Sequence, residues 1–232
     1  MTGNNNSQSK APWVIVSDFD GTFTVKDIGN ELCEEVLGEK WFELYRQYRA
    51  GIFGLKEYQK KTWSNFPLSE KEFIDLSLKF AFLRPGLEEF LCQAVDQKIP
   101  VYVASCGLRP YIDATLKNKL SPKAQMAIKG IHCNEVKFDE NKILEFVPPP
   151  SLPECPFPLD KGAWAKEVAL KHGPQTQLLG IGNGTSDQSF WGAVHELAAI
   201  ESLEKWCLKE KIPYISFENF FDLKKKVKAF HV

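Results

Sequence analysis

The sequence predicts an α/β fold, a parallel sheet covered on both faces by helices, with a small helical unit inserted after the first strand. Short β-branched runs alternate with segments of helical period along most of the chain, the pattern of strands joined by crossover helices. Three of the runs end in polar, glycine-containing loops: Asp18 to Thr22, Ser105 to Gly107, and Asn183 to Asp187. The 232 residues, 44% hydrophobic and 25% charged, are enough for one large α/β unit or a domain with a sizeable insertion.

Trp13-Val14-Ile15-Val16-Ser17 reads as a buried strand that stops at Asp18-Phe19-Asp20-Gly21-Thr22. From residue 27 to about 82 the apolar residues fall at helical spacing, first Ile28, Leu32 and Val36, then Trp41, Leu44, Tyr45 and Tyr48. Ser69-Glu70-Lys71-Glu72 opens a third segment like a capping box. Pro85-Gly86 precedes a helix through Leu87, Phe90, Leu91, Ala94 and Val95, which leads into a strand over 100–104 ending at Ser105-Cys106-Gly107. A helix over 110–119 follows. Residues 128–147 read as short strands around the turn Asp139-Glu140-Asn141, and 148–158 as a proline-rich surface crossover. Lys161 begins a helix that stops at His172-Gly173-Pro174, and 177–182 form a strand ending at Asn183. The remainder alternates short apolar runs (197–200, 214–217) with helical stretches (203–210, 220–229).

Lysine and arginine (29) nearly balance aspartate and glutamate (30), so the chain carries no global footprint for nucleic acid or an anionic membrane. The run Lys224-Lys225-Lys226-Val227-Lys228 reads as a solvated helix face. No apolar stretch approaches the roughly 20 residues a bilayer span needs. The amino-terminus, residues 1–11, reads as a polar tail without a secretion signal. Six dispersed cysteines without a Cys-x-x-Cys pair point to free thiols in a reducing, cytoplasmic setting. His132-Cys133 lacks the neighbours that a zinc site requires. The expected partner is a small molecule, with no nucleic acid and no membrane; oligomeric state is not fixed by the sequence.

In open parallel sheets, ligands gather beyond the carboxyl ends of the strands near a switch in strand order, so the three polar loops can share one crevice. Asp18 and Asp20, two apart, share a face in extended backbone, and the turn at Gly21 can swing one away to act as an acid. Two carboxylates so close repel each other unless a cation lies between them. With a hard divalent ion, Asp18 can supply a ligand oxygen and keep another to attack phosphorus, while Asp20 protonates the leaving oxygen. The Ser105 hydroxyl, neighbouring backbone amides and Lys161 are groups that bind phosphate. Each alone has a local reading: turn chemistry for Asp18 and Asp20, helix capping for Ser105 and Asp187, a solvated surface charge for Lys161.

Taken in order, Asp18-Phe19-Asp20-Gly21-Thr22, Ser105, Lys161 and Gly182-Asn183-Gly184-Thr185-Ser186-Asp187 resemble the four-motif signature of the haloacid dehalogenase superfamily. Leu83-Arg84-Pro85-Gly86 with Val103-Ala104-Ser105-Cys106-Gly107-Leu108-Arg109 is similar to its phosphoserine phosphatase-like branch. The closing stretches, Glu201-Ser202-Leu203 and Phe217-Glu218-Asn219-Phe220, look more like the MtnX-like enol-phosphate phosphatase group within it. The resemblance implies a Rossmann-like core over 12–23 and 84–232, a cap domain over 24–83, and a phosphatase of a small phosphorylated metabolite that uses Mg²⁺ and a phospho-aspartyl intermediate. It implies Asp18 as nucleophile, Asp20 as acid and then base, Ser105 on a phosphoryl oxygen, and Lys161 on the nucleophile and intermediate. The implied metal group is Asp18, Asp20 through its carbonyl, Asn183 and Asp187. Gly21, Thr22, Cys106 and Gly107 are the implied substrate-binding neighbours. Asp27 falls where the branch has an acidic residue facing substrate, and reads equally as a helix-capping aspartate. One departure stands out: Asn183 occupies the first acidic position of the last motif, which removes a negative charge from the metal site. That leaves three readings: a native enzyme with weakened metal binding, an engineered change that traps substrate, or a silent binder of phosphorylated ligands. Cap aromatics Trp41, Tyr45, Tyr48 and Trp63 can line a pocket or form the cap's own core.

Overall fold

The computed structural model describes residues 11–150 and 155–231. The expected tail, apart from Ala11, and residues 151–154 of the proline-rich segment lie outside the described residues. Strand β1 (Trp13–Ser17) is buried along its whole length. Its side chains alternate, Trp13 and Ile15 joining one apolar cluster and Val14 and Val16 the other, as the two-residue period of a strand requires.

Four helices follow β1: α1 (Ile28–Leu37), α2 (Glu39–Arg49), α3 (Leu55–Trp63) and α4 (Glu70–Phe80). Their starts are set locally. Asp27 accepts the Asn30 amide at 2.8 Å, and Ser69 with Glu72 completes the expected capping box. Gly38, at φ 52°, turns the chain from α1 into α2. A bridge between Thr24 and Leu83 closes entry and exit of the insertion.

There follow α5 (Leu87–Asp96), β2 (Val101–Leu108), α6 (Arg109–Lys119), α7 (Pro122–Gln125), β3 (Ile128–Phe138), β4 (Ile143–Val147), α8 (Lys161–His172) and β5 (Gln177–Gly182). The chain ends with β6 (Glu196–Ala199), α9 (Glu201–Glu210), β7 (Ile215–Ser216) and α10 (Phe220–Lys226). The seven strands lie in the order β4-β3-β2-β1-β5-β6-β7, parallel throughout except for the β3–β4 hairpin. Helices α5, α6 and α10 pack on one face, α8 and α9 on the other, so the expected doubly covered α/β sheet is borne out. The strand order reverses at β1, which places a crevice at its carboxyl end between β2 and β5.

Three local expectations are corrected. Strand β2 does not end at Ser105 but continues to Leu108, which pairs with Asn134 after a register break beyond Ala104, so Ser105 is not a helix cap. Residues Thr185–Phe190 form a 3-10 turn in which Asp187 is the third residue rather than the cap. The last helix stops at Lys226 because Val227 and Phe230 turn into the core. Within the lysine run, Lys226 pairs with Asp222 at 2.7 Å and Lys228 with Glu196 at 3.5 Å. Among the described residues all six cysteines are free and no helix is long and apolar enough to cross a membrane.

Candidate active site

A cavity of about 240 Å³ opens at the carboxyl ends of β1, β2 and β5. Its floor carries Asp18, Asp20, Ser105, Cys106, Gly107 and Asn183 to Ser186, and its roof carries Asp27, Asn30, Tyr45, Tyr48, Tyr58, Gln59 and Trp63 from the inserted helices. The three polar loops therefore meet. A backbone bond from Asp18 N to Ile181 O (2.8 Å) extends the β1–β5 ladder and brings Asp18 beside the last motif.

Beneath the floor lies a buried charge cluster. The Lys161 ammonium, 1% exposed, donates at 2.6 Å to both Asp18 Oδ1 and Asp187 Oδ1. Burial alone would push the lysine down, but the two carboxylates outweigh it and hold the ammonium charged. Burial and the Asp187 charge push the Asp18 carboxyl up to about 7 against the opposing pull of Lys161. Asp187 also accepts the amides of Asn183 (3.0 Å) and Gly184 (2.8 Å) through Oδ2. Asp187, expected in the metal group, lies outside the cavity lining, where its oxygens hold Lys161 and the amides of the last loop.

Asp20 accepts the Ile28 amide at Oδ1 (3.0 Å) and the Tyr111 hydroxyl at Oδ2 (2.5 Å). Burial, with the Asp27 charge added, drives its carboxyl well above the usual range against the pull of Tyr111, a shift toward the protonated acid. Gly107 is required here, because a Cβ would stand 1.9 Å from the Tyr111 hydroxyl and 2.4 Å from Asp20 Oδ2. Gly21, at φ 72°, faces Asn183 so closely that a Cβ would lie 2.1 Å from Nδ2.

Gly21 and Thr22, expected to contact substrate, do not line the cavity. Their carbonyls accept the buried Arg84 guanidinium at 2.6 and 3.0 Å, and the Thr22 hydroxyl donates to Asp18 Oδ2 at 3.3 Å. Ser105 Oγ accepts the Gly107 amide at 2.9 Å and faces the cavity. The Cys106 carbonyl accepts Gln59 Nε2 at 2.7 Å and Asn134 Nδ2 at 2.6 Å, tying α3 to β2 and β3. Asp27 caps α1 and lines the cavity. The aromatics divide: Trp41 donates to the Tyr58 hydroxyl inside the helical layer, whereas Tyr45, Tyr48 and Trp63 line the cavity. Tyr111, Gln59, Asn134 and Glu201 were not singled out as site residues from the sequence, since each reaches the site only through long-range packing.

The donor set fits a hard cation. The carboxylates of Asp18 and Asp187 share the Lys161 ammonium, and those of Asp20 and Asp27 border the same cavity with Arg49, so a divalent ion would favour the ionised form of these acids. Among the described residues no three His, Cys, Asp or Glu side chains are grouped to hold a metal by themselves. Neutral oxygens, the Asp20 carbonyl and Asn183 Oδ1, must complete such a site, as oxygen-seeking Mg²⁺ allows.

A doubly wound sheet with acids, a serine and a buried lysine collected at its switch point defines an enzyme built for an anionic substrate. The model of the haloacid dehalogenase-like hydrolases matches residues 15–191, and the chain belongs to that family. It is similar to the polyol phosphate phosphatase PYP1 of Saccharomyces cerevisiae, 29% identical over 229 residues and 90% of each chain. It is also similar to the 2-hydroxy-3-keto-5-methylthiopentenyl-1-phosphate phosphatase of Geobacillus kaustophilus, 25% identical over 90% of this chain and 93% of that one. A phospho-aspartyl intermediate analogue of phosphoserine phosphatase superposes with a TM-score of 0.68 at 18% identity, over 95% of this chain and 99% of the other, a likeness of fold. The expected superfamily, the phosphoserine phosphatase fold and the phosphatase class are borne out.

Proposed function

We propose that this hydrolase is a Mg²⁺-dependent phosphomonoesterase that cleaves a small phosphorylated metabolite through a phosphorylated Asp18. The observation that carries this reading is the junction of Asp18 with Lys161 beneath one cavity and Asp20 with Tyr111 at its side. Lys161 holds Oδ1 of Asp18, which fixes the carboxylate and leaves Oδ2, restrained only by Thr22, to attack phosphorus. As the new O–P bond forms, the ester O–P bond breaks and the Asp20 proton passes to the departing oxygen. Water then attacks phosphorus as Asp20 takes its proton, the Asp18 O–P bond breaks, and inorganic phosphate leaves with the Asp18 carboxylate restored. The Ser105 hydroxyl and the amides of its loop hold phosphoryl oxygens. Asp18, the Asp20 carbonyl and Asn183 Oδ1 would hold Mg²⁺, which when bound offsets the charge of the phosphoryl group and its surrounding carboxylates.

Residues 24–83 serve in this reading as a cap over a core formed by 12–23 and 84–232. A roofed cavity of about 240 Å³ suits a compact phosphorylated metabolite and excludes bulk water during transfer. The relatives named for polyol phosphate and for an enol phosphate support this substrate class. The test is Asp18→Asn assayed on an aryl phosphate with Mg²⁺, together with acid-quenched mass spectrometry of the wild-type protein during turnover. Loss of activity in the variant and a phosphoryl adduct on the Asp18 peptide are expected. Retained turnover in the variant, or label on another residue, overturns the mechanism.

A further inference from the structure

Asn183 stands where the family signature carries an acid, and its amide has a right and a wrong way round. Only Oδ1 can ligate a cation; Nδ2 would present two protons to it. In this structure Nδ2 donates to Glu201 Oε2 at 3.1 Å, while Oδ1 has no protein partner among the described residues and Asn183 borders the cavity. An ionised carboxylate only accepts hydrogen bonds, so Glu201 selects one of the two amide orientations.

Glu201 is itself held in place. It adopts φ 57°, a left-handed backbone that a residue with a side chain keeps only where its surroundings impose it. Those surroundings are three bonds from its neighbours to the β5 end: Ile200 N to Gly182 O (3.2 Å), Ser202 Oγ to Asn183 O (2.8 Å) and Leu203 N to Asn183 O (2.9 Å). Its other oxygen accepts Nη2 of Arg84 at 3.4 Å, and the same nitrogen holds the Gly21 carbonyl. The corner between β6 and α9 is thereby pinned to both loops that would supply metal ligands.

We infer that Glu201 is a positioning residue that locks the Asn183 amide with its oxygen toward the cation, letting an asparagine do the work of the missing acid. The inference rests on the proposed Mg²⁺ site and makes Glu201, half-exposed and outside the cavity lining, part of metal binding. Outer partners of metal ligands commonly change affinity by tenfold or more when removed.

Mg²⁺ titration calorimetry on the full chain provides the test, with wild type, Asp18→Asn, Glu201→Ala, Asn183→Asp and the Asn183→Asp/Glu201→Ala double variant. With Asn183 present, Glu201→Ala should weaken Mg²⁺ binding about tenfold. In the Asn183→Asp background, both side-chain oxygens at that position can ligate and no orientation needs selecting. The same substitution should then cost only the small contribution of a distant charge, about twofold. Equal losses in the two backgrounds would reduce Glu201 to a charge, and an unchanged affinity would remove its role. Mg²⁺ binding that is absent in wild type or untouched by Asp18→Asn would instead overturn the proposed metal site. A second measurement stands apart from metal: in ¹⁵N spectra the Asn183 side-chain amide protons should be well separated in wild type and draw together in Glu201→Ala. Identical spectra overturn the locked orientation.

Discussion

Lys161 shows how far one buried charge can organise a site. Its ammonium compensates two largely buried carboxylates, so removing it leaves uncompensated charge rather than a mere hole. Breaking a buried ion pair from one side costs about 3–5 kcal/mol, and Lys161→Met should lose stability of that order at neutral pH. Urea unfolding would measure it, and the loss should shrink at lower pH as Asp18 takes up a proton. A loss below about 1 kcal/mol would mean that the carboxylates find other compensation.

Asp18 sets a second expectation at the same scale. Its carboxyl is raised from 3.8 to about 7, so the folded metal-free protein binds this proton more tightly than the unfolded chain. The contribution of this group to stability is therefore greatest below the lower value and declines as pH rises through the interval. A cation on Asp18 competes with that proton, so Mg²⁺ should raise Tm little at about pH 5 and clearly at about pH 7.5. A Mg²⁺-induced shift independent of pH, followed by thermal unfolding with and without chelator, would place the ion elsewhere.

Among the elements, those with a one-sided apolar pattern were legible because burial itself writes the pattern. Trp13 to Ser17, the helix faces around Ile28 and Leu32, and the Ser69 capping box are readable within a few residues. The continuation of β2 to Leu108 was not, because it depends on Asn134 in β3, twenty-six residues on, and on a register break that no local propensity encodes. The same holds for Tyr111: its position on α6 at helical spacing gives no sign that its hydroxyl meets Asp20 across 91 residues. That contact makes Gly107 the element-level test. Gly107→Ala would drive a methyl group into the Tyr111 hydroxyl and the Asp20 carboxylate. The expected cost is about 1–3 kcal/mol from overpacking, with a larger fall in turnover for alkyl than for aryl phosphates, since an alkoxide needs the displaced acid. Equal losses on both substrates would show that the strain does not reach Asp20.

Across the whole molecule, the inserted helices and the sheet act on substrate together only if they stay registered, and few polar contacts cross between them. Ile28 N donates to Asp20 Oδ1 at 3.0 Å, Ile143 N of β4 to the Phe66 carbonyl at 2.9 Å, Lys142 Nζ to Asn65 Oδ1 at 3.0 Å, and Gln59 Nε2 of α3 to the Cys106 carbonyl at 2.7 Å. Among the described residues, Gln59 alone joins the roof by a hydrogen bond to the strand end that carries Ser105, and Asn134 braces it from β3 through Gln59 Oε1 at 3.3 Å. Neither residue hydrogen-bonds Asp18 or Asp20, so in the proposed mechanism their part is closure rather than chemistry. A net hydrogen bond contributes about 0.5–1.5 kcal/mol, which sets the expected effect of Gln59→Ala at roughly two- to tenfold. The loss should fall on KM, because the roof then lacks its tie to the strand end that carries Ser105, while kcat on an aryl phosphate stays within about twofold. Gln59→Glu should behave worse than alanine, since a carboxylate cannot donate to the carbonyl and adds charge near the incoming phosphate. Steady-state kinetics on the three proteins decides the matter: a fall in kcat at constant KM would move Gln59 from closure into the chemical step, and no change in either would free the roof from this contact altogether.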